Sequence, residues 1–412
     1  AHHCAVRDNK RRAQLKLNAM NDLAPDLLRA IQHTERERFI TNHPQSMALG
    51  HAAQQHYLFG VPLHWMRDWP SPATLFVAQA QGATLTCADG LRYADFCLGD
   101  TGAMFGHSPT PLAQAMARQA AQGLTCMLPA TNAATVGQLL SNTFGLPMWQ
   151  MALSASDANR FVLRWARAIT GRPQLLVFDG CYHGAVDDTL VDMDPVTGHT
   201  LPRRSVLGQV HNHADFTRVV PFNDLDALEA ALKQGNVACL LAEPALTNFG
   251  LVPPAPGFWE QARALCRTHG ALFVCDETHT ISTALGGYAR AHGLEPDFMV
   301  VGKAVAGGLP CAVYGFTQAV AERMAQAKNA APEGHSGIGT TLAGNALTLA
   351  ALQASLEHLH TAANYDHMLD LAAGLEHGLR ERIAAAGRSW TVTRLGARME
   401  LQFMPHTPRH AQ

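Results

Sequence analysis

From about residue 100 onward, short apolar runs alternate with stretches whose apolar positions recur at helical spacing. The runs are LLVF (175–178), ACLLA (238–242), ALFVC (271–275), FMVVG (298–302) and CAVYGF (311–316), and helices are predicted over 157–170, 224–233 and 257–269. Continuously apolar strands separated by helices predict an α/β fold, with a largely parallel sheet covered on both faces. Ligands of such sheets bind beyond the carboxyl ends of the strands. Ahead of this region, residues 20–58 read as helical, and GATLTCADGLRYADF (82–96) reads as a β-hairpin turning at Asp89-Gly90. Beyond about 346 the pattern is helical again, with a strand-like segment near 390–403. The expected organisation is therefore an arm over 1–19, an N-terminal segment over 20–99, a large domain over 100–345 and part of a smaller α+β domain over 346–412. No internal repeat interrupts this order.

The arm is polar and basic, and it lacks helical periodicity; helical spacing begins at Met20, the expected native start, with a genuine basic arm as the alternative. Its AHHC run offers weak metal ligation at most, and the plainer reading is a disordered terminus. With 412 residues, the chain is long enough for a large core. Its 47% hydrophobic and 16% charged residues fit a globular enzyme rather than a disordered chain. A net charge of -2 gives no footprint for nucleic acid or an anionic membrane. No apolar run is long enough for a transmembrane helix, and no secretory h-region is visible near the start. Nine scattered cysteines without a CxxC pair suit a reducing compartment, the cytoplasm, and the histidines show no HExxH-like pairing, so no metal site is expected.

Chemistry concentrates at strand ends. Of only five lysines, Lys10 and Lys16 lie in the arm and Lys233 and Lys328 near the ends of polar-faced helices, while Lys303 alone follows an apolar strand. An ammonium there is costly unless it loses its charge or condenses with a carbonyl, although a snorkelling side chain explains the same position. Asp276 directly follows ALFVC, where a carboxylate can hold a pyridinium N–H, cap a helix or bind a metal; no neighbouring ligand pattern supports the metal. Ser154, Ala155 and Ser156 open a helix and can present N–H groups and hydroxyls to an anion, or simply cap it. Tyr182, in FDGCYHG after another strand, can stack on a planar ligand.

In this order along an α/β chain, these residues resemble the class III aminotransferases of the fold type I pyridoxal-phosphate enzymes. The resemblance runs from about Pro62 to Phe403 and is strongest from Ser154 to Asn345. It implies a fold type I transferase with pyridoxal 5'-phosphate as cofactor. Lys303 in GKAVAGGLP matches the Schiff-base lysine, Asp276 the pyridinium partner, and Thr278 a small residue under the ring that is more often valine. SASDA stands for the usual SGTEA, so Ser154, Ala155 and Ser156 inherit the phosphate cup, and Tyr182 matches the stacking aromatic. GTTLAGNAL resembles a GTxSGNP element, with Thr341 reaching the phosphate in the neighbouring subunit of a homodimer and Ala346 replacing a proline. AEPALTNFG resembles the EPxxxN segment of the glutamate-1-semialdehyde aminomutase subgroup, which makes Asn248 a candidate for the cofactor's phenolic oxygen. GVPLHWMRDW lies where that subgroup carries a substrate arginine, so Arg67 with Trp65 is one substrate candidate and Arg398 the other. The family's small domain normally continues past the point where this chain stops. The resemblance implies transfer of an amino group from an amine or amino acid to an oxo acid. The alternatives are an intramolecular aminomutase and a truncated, catalytically silent cofactor-binding dimer.

Overall fold

A computed structural model of the chain describes residues 25–411. The expectations for the arm over 1–19 and for a start at Met20 lie outside the described residues. The chain divides into two compact units between Phe96 and Cys97.

The first unit carries helices α1 (Pro25–Asn42) and α2 (Pro44–Ala53) and strands β1 (Val77–Gln81), β2 (Thr84–Cys87) and β3 (Arg92–Ala94). His43 separates the helices because a residue before proline is pushed out of helical conformation; its φ and ψ are -125° and 49°. The Asp89 carboxylate caps α2, accepting from the N–H groups of Gln45 (2.6 Å) and Ser46 (3.1 Å). Strands β2 and β3 form the expected hairpin, and β1 adds to it antiparallel.

The second unit begins with α3 (Thr110–Ala120), α4 (Ala133–Phe144), β4 (Met148–Ala152), α5 (Ala155–Thr170) and β5 (Gln174–Phe178). It continues with β6 (Val191–Met193), β7 (Thr200–Pro202), β8 (Thr217–Val220), α6 (Leu225–Lys233), β9 (Val237–Ala242) and α7 (Phe258–Thr268). Next come β10 (Leu272–Asp276), the short α8 (Gly287–Ala291), β11 (Phe298–Val301), β12 (Ala312–Phe316) and α9 (Gln318–Ala330). The last elements are α10 (Ala346–His358), α11 (Ala362–Ala385) and the hairpin β13 (Thr391–Leu395)–β14 (Arg398–Gln402). All five apolar runs form strands, and the three sequence-predicted helices lie within two residues of their expected bounds.

Seven strands make one sheet in the order β4-β12-β11-β10-β9-β5-β8. The five from β11 to β8 are parallel, and β12 runs antiparallel to both its neighbours. Every residue of β9, β10, β11 and β12 is buried, which explains their unbroken apolar sequences. On α5, Phe161, Val162, Leu163 and Trp165 join the core. Parallel strands end on the same edge of the sheet, so the segments after β5, β9, β10 and β11 emerge together there. Among the described residues, no helix is long and apolar enough to cross a membrane.

Candidate active site

Asp276 is the last residue of β10 and is buried. Its Oδ2 accepts from His183 Nδ1 at 2.8 Å and from Asn159 Nδ2 at 2.9 Å, while Oδ1 accepts, among the described residues, only the Thr278 N–H, at 3.1 Å. Burial pushes its carboxyl up, but the bond to His183 and that residue's charge, with help from Thr278 and Asn159, hold it down at about 2. Burial opposes a charge on His183, yet the adjoining Cys181 sulfur and Asp276 carboxylate raise its pKa well above the ordinary histidine value. The result is a fixed carboxylate whose Oδ1 has acceptor capacity for one more donor.

Lys303 follows β11 through Gly302 and has φ +48°, a left-handed conformation that is uncommon for a side-chain-bearing residue. A Cβ on Gly302 would stand 2.9 Å from the Ala155 Cβ, so only glycine lets the lysine segment lie against the start of α5. Lys303 Nζ meets Asp100 Oδ2 at 2.8 Å and His279 Nε2 at 2.7 Å. The other face of His279 meets Thr101 Oγ1 at 3.0 Å and Arg398 Nη1 at 3.2 Å. Arg398 opens β14, donates Nη2 to the Thr247 carbonyl at 3.0 Å, and keeps a buried Nε without a partner among the described residues. Burial first, then the charges of Lys303 and Arg398, lower the His279 imidazole to about 4, so it is neutral near pH 7.

At the start of α5, Ser154 is the N-cap and accepts the Asp157 N–H at 3.1 Å, the capping role its sequence position also allowed. The first intrahelical bond runs from Ala158 N–H to the Ser154 carbonyl, so the N–H groups of Ala155 and Ser156 precede the helix ladder. Ser156 Oγ accepts the Ala185 N–H at 3.0 Å, and Gly184 approaches so closely that its Cβ would lie 2.0 Å from that oxygen. This contact locks the loop carrying Tyr182 to the head of α5. Tyr182 itself keeps 46% of its surface exposed. Its N–H donates to Glu243 Oε1 at 3.3 Å, and Glu243 also accepts from Thr247 Oγ1 at 2.5 Å.

The structure thus brings Lys303 and Arg398 together through His279, which adjoins in sequence the Thr278 whose N–H bonds Asp276, at the carboxyl edge of the sheet. Asn248 lies on the exposed turn after β9, its amide donating to Thr247 Oγ1 at 3.4 Å. Thr341 is exposed on the turn before α10 and takes no part in the hydrogen bonds around Lys303. Arg67 and Trp65 belong to the first unit, in the turn His64–Arg67. Trp65 packs edge-on against Trp69 at 6.1 Å, and Arg67 lies 3.8 Å over the Phe59 ring, where the cation meets a π face.

Sequence reasoning passed over His279, His183, Asn159, Asp100 and Thr101. The first two carried a readable signal, each being a histidine within a few residues of an apolar strand's carboxyl end. Asn159 looked like one polar residue on an amphipathic helix. Asp100 and Thr101 belong to a run, Leu98–Thr101, in which all four residues have positive φ, and no sequence pattern announces such a bend.

The sequence model of the aminotransferase class-III family matches residues 66–408. The chain belongs to that family. It is 36% identical, over 80% of its length and 74% of the relative's, to the glutamate-1-semialdehyde 2,1-aminomutase of Sorangium cellulosum. The crystal structure of a glutamate-1-semialdehyde aminomutase from Pseudomonas aeruginosa PAO1 superposes with a TM-score of 0.89 at 49% identity, covering 92% of this chain and 84% of that one; a variant of it was solved in complex with PMP. An omega-transaminase from Sphaerobacter thermophilus gives a TM-score of 0.81 at 26% identity, covering 89% and 85%. The fold is that of the fold type I aminotransferases, and the cofactor of this enzyme family is pyridoxal phosphate.

The residues present fit that cofactor. Asp276 Oδ1 offers an acceptor for a protonated ring nitrogen. Among the described residues, Thr278 Oγ1 is buried without a hydrogen-bond partner, which suits a ligand-facing hydroxyl. The head of α5 supplies unused N–H groups for a phosphate.

Proposed function

We propose that the chain is a pyridoxal-phosphate aminomutase that shifts an amino group between neighbouring carbons of one carboxylate-bearing substrate. Ordinary transamination, the reading implied first by the sequence, is the second candidate. The observation that carries the proposal is the contact chain from Lys303 through His279 to Arg398, which sets a proton-carrying amine and a guanidinium with an unused N–H in one site. Glutamate-1-semialdehyde, the substrate named for the relatives at 36% and 49% identity, carries one free carboxylate, and this favours the intramolecular reading.

Bound at this site, pyridoxal phosphate supplies the carbonyl that condenses with amines and a ring that withdraws electrons. Lys303 Nζ would hold the cofactor and would carry the proton to and from the substrate carbon. Asp276 keeps the ring nitrogen protonated through Oδ1, and His183 and Asn159 keep Asp276 ionised and aimed. Tyr182 and Thr278 would help to hold the ring. The N–H groups of Ala155 and Ser156, with Ser154, receive the phosphate, and Asn248 receives the phenolic oxygen. Arg398 anchors the substrate carboxylate by charge-assisted hydrogen bonds. Arg67, with Trp65, enters the reading through the sequence resemblance alone. The working unit is a homodimer in which Thr341 serves the neighbouring site.

The test supplies glutamate-1-semialdehyde with no oxo-acid acceptor and follows the isomer bearing its amino group on C1. Formation of that isomer is expected. Turnover that appears only when a 2-oxo acid is added would return the chain to transamination. Borohydride should fix the cofactor on Lys303, and Lys303→Ala should lose both the adduct and roughly 10²–10⁴-fold in rate.

A further inference from the structure

Lys303 Nζ lies between a carboxylate and an imidazole, and the hydrogen-bonding role of that imidazole follows from its other neighbours. A guanidinium donates and never accepts. Arg398 Nη1, at 3.2 Å from His279 Nδ1, therefore requires a lone pair on that nitrogen. Thr101 Oγ1, at 3.0 Å, can donate to the same lone pair by rotating its hydroxyl. The opposite tautomer satisfies Thr101 but points an N–H at the guanidinium. With Nδ1 accepting, the ring's single proton sits on Nε2, which faces Lys303 Nζ at 2.7 Å. An ammonium has no lone pair to receive that N–H, whereas an amine receives it and still donates to Asp100 Oδ2 at 2.8 Å.

We propose that His279 is a positioning residue for Lys303: held by Arg398 as its Nε2–H tautomer, it makes the lysine nitrogen a hydrogen-bond acceptor and so favours the uncharged amine that condensation with a carbonyl requires. The inference rests on the reading of Lys303 as the cofactor lysine and deepens it.

Three further features support the arrangement. His279 is buried, so exchanging its partners for water is costly. Its imidazole is neutral near pH 7, with burial the largest cause, so one ring nitrogen must donate and the other accept. The run Leu98–Thr101, with φ values of 48°, 60°, 52° and 79°, delivers Asp100 and Thr101 to opposite ends of the contact chain. Strain of this kind is held in place where a fixed geometry serves the site. The same chain leads from Arg398 to Lys303, so it connects the proposed carboxylate anchor with the reactive nitrogen.

The experiment measures how fast acetic anhydride in trace amounts labels Lys303 in the full chain freed of cofactor, with Lys233 and Lys328 as references in the same sample. His279→Met removes both ring contacts without changing charge. His279→Gln restores their polarity, because its carbonyl can accept from Arg398 while its amide donates to Lys303. Near pH 7, the relative labelling of Lys303 should fall about tenfold in His279→Met, equivalent to one unit in the balance of its two forms, and recover in His279→Gln. At about pH 10, close to the ordinary lysine value, the difference should shrink to about threefold. No fall in His279→Met, a tenfold fall that persists at about pH 10, or no recovery with glutamine would each overturn the proposal. Independently of any folding defect, carbon NMR of ring-labelled histidine in the parent should show His279 with its proton on Nε2; a proton on Nδ1 would also overturn it. The site reading fails separately, if borohydride fixes the cofactor on another lysine in the parent.

Discussion

Asp276 illustrates how one side chain takes both its structural and its proposed chemical role from its neighbours. The carboxylate is held near 2 because a buried histidine faces it and two further N–H groups reach it. An amide at this position loses the charge-assisted bond to a ring nitrogen, so Asp276→Asn should lower kcat/KM by about ten- to a hundredfold, the equivalent of roughly 1.5–3 kcal/mol. The same change leaves His183 charged, buried and unpaired, which should cost roughly 3–5 kcal/mol of unfolding free energy. Adding His183→Gln should recover part of the stability and none of the activity. Recovery of activity in the double variant would separate Asp276 from the cofactor role. The neighbouring Glu277 behaves oppositely. Burial pushes its carboxyl from 4.5 up to about 6, against hydrogen bonds from Thr280, Ala289 and Tyr288. A group raised in the folded state stabilises the fold below its unfolded value and loses that contribution as pH rises through the folded one. Between about pH 4.5 and 7, Glu277 should therefore withdraw about 2 kcal/mol of stability. His279 and His360, both lowered to about 4, change in the opposite sense, so the informative quantity is the difference between the parent and Glu277→Gln in denaturant titrations across this range. A flat difference would show that the Glu277 carboxyl is not raised.

At the scale of elements, legibility followed burial. Strands β9 to β12 are buried at every residue, so their sequences are continuously apolar and could be read directly. Strands β4 (MWQMA) and β8 (TRVV) occupy the two edges of the sheet, where one side tolerates polar residues, and neither made a continuous apolar run. The direction of β12 was implicit in the short connection from Val301 to Ala312, which carries no helix longer than the turn Lys303–Ala306; parallel neighbours need a long crossover. Lys303, Asp276 and Tyr182 could be found because each stands just beyond an apolar strand. His279 and Asn159 gain meaning only through contacts made across elements, which spacing along the chain does not encode. The meeting of β11's end with α5 gives an element-scale prediction. Gly302→Ala would place a methyl group 2.9 Å from the Ala155 Cβ and 3.4 Å from Thr278 Cγ2. Overpacking of this sort costs about 1–3 kcal/mol, and it should fall on the junction that aims Lys303 and the α5 N–H groups. Cofactor affinity should weaken about tenfold or more. Unchanged affinity, measured by the absorbance of bound cofactor, would show that the junction can relax without moving the site.

For the whole molecule, the proposed homodimer has both a surface and a functional consequence. Leu124, Met127 and Leu128 are 47%, 74% and 75% exposed, and Leu342 is 49% exposed beside Thr341. The N–H of Leu347 donates to the Leu124 carbonyl at 3.4 Å, tying the segment that follows Thr341 to this apolar stretch. Exposed apolar side chains of this kind suit a contact surface, and in the proposed homodimer a second copy of the chain would cover them and place Thr341 against a neighbouring phosphate. Mixing Lys303→Ala chains with Thr341→Ala chains tests that placement. If Thr341 crosses the interface, each mixed dimer contains one site with both lesions and one with neither. Random mixing makes half of the dimers mixed, and half of their sites intact, so activity should recover to about a quarter of the parent's. If Thr341 acts within its own chain, every site of a mixed dimer carries one lesion, and activity stays at the average of the two variants. Mass spectrometry of differently tagged chains establishes whether mixing has occurred. Mixed dimers without recovery would remove the shared site from the proposal, while the roles of Lys303 and Asp276 would stand.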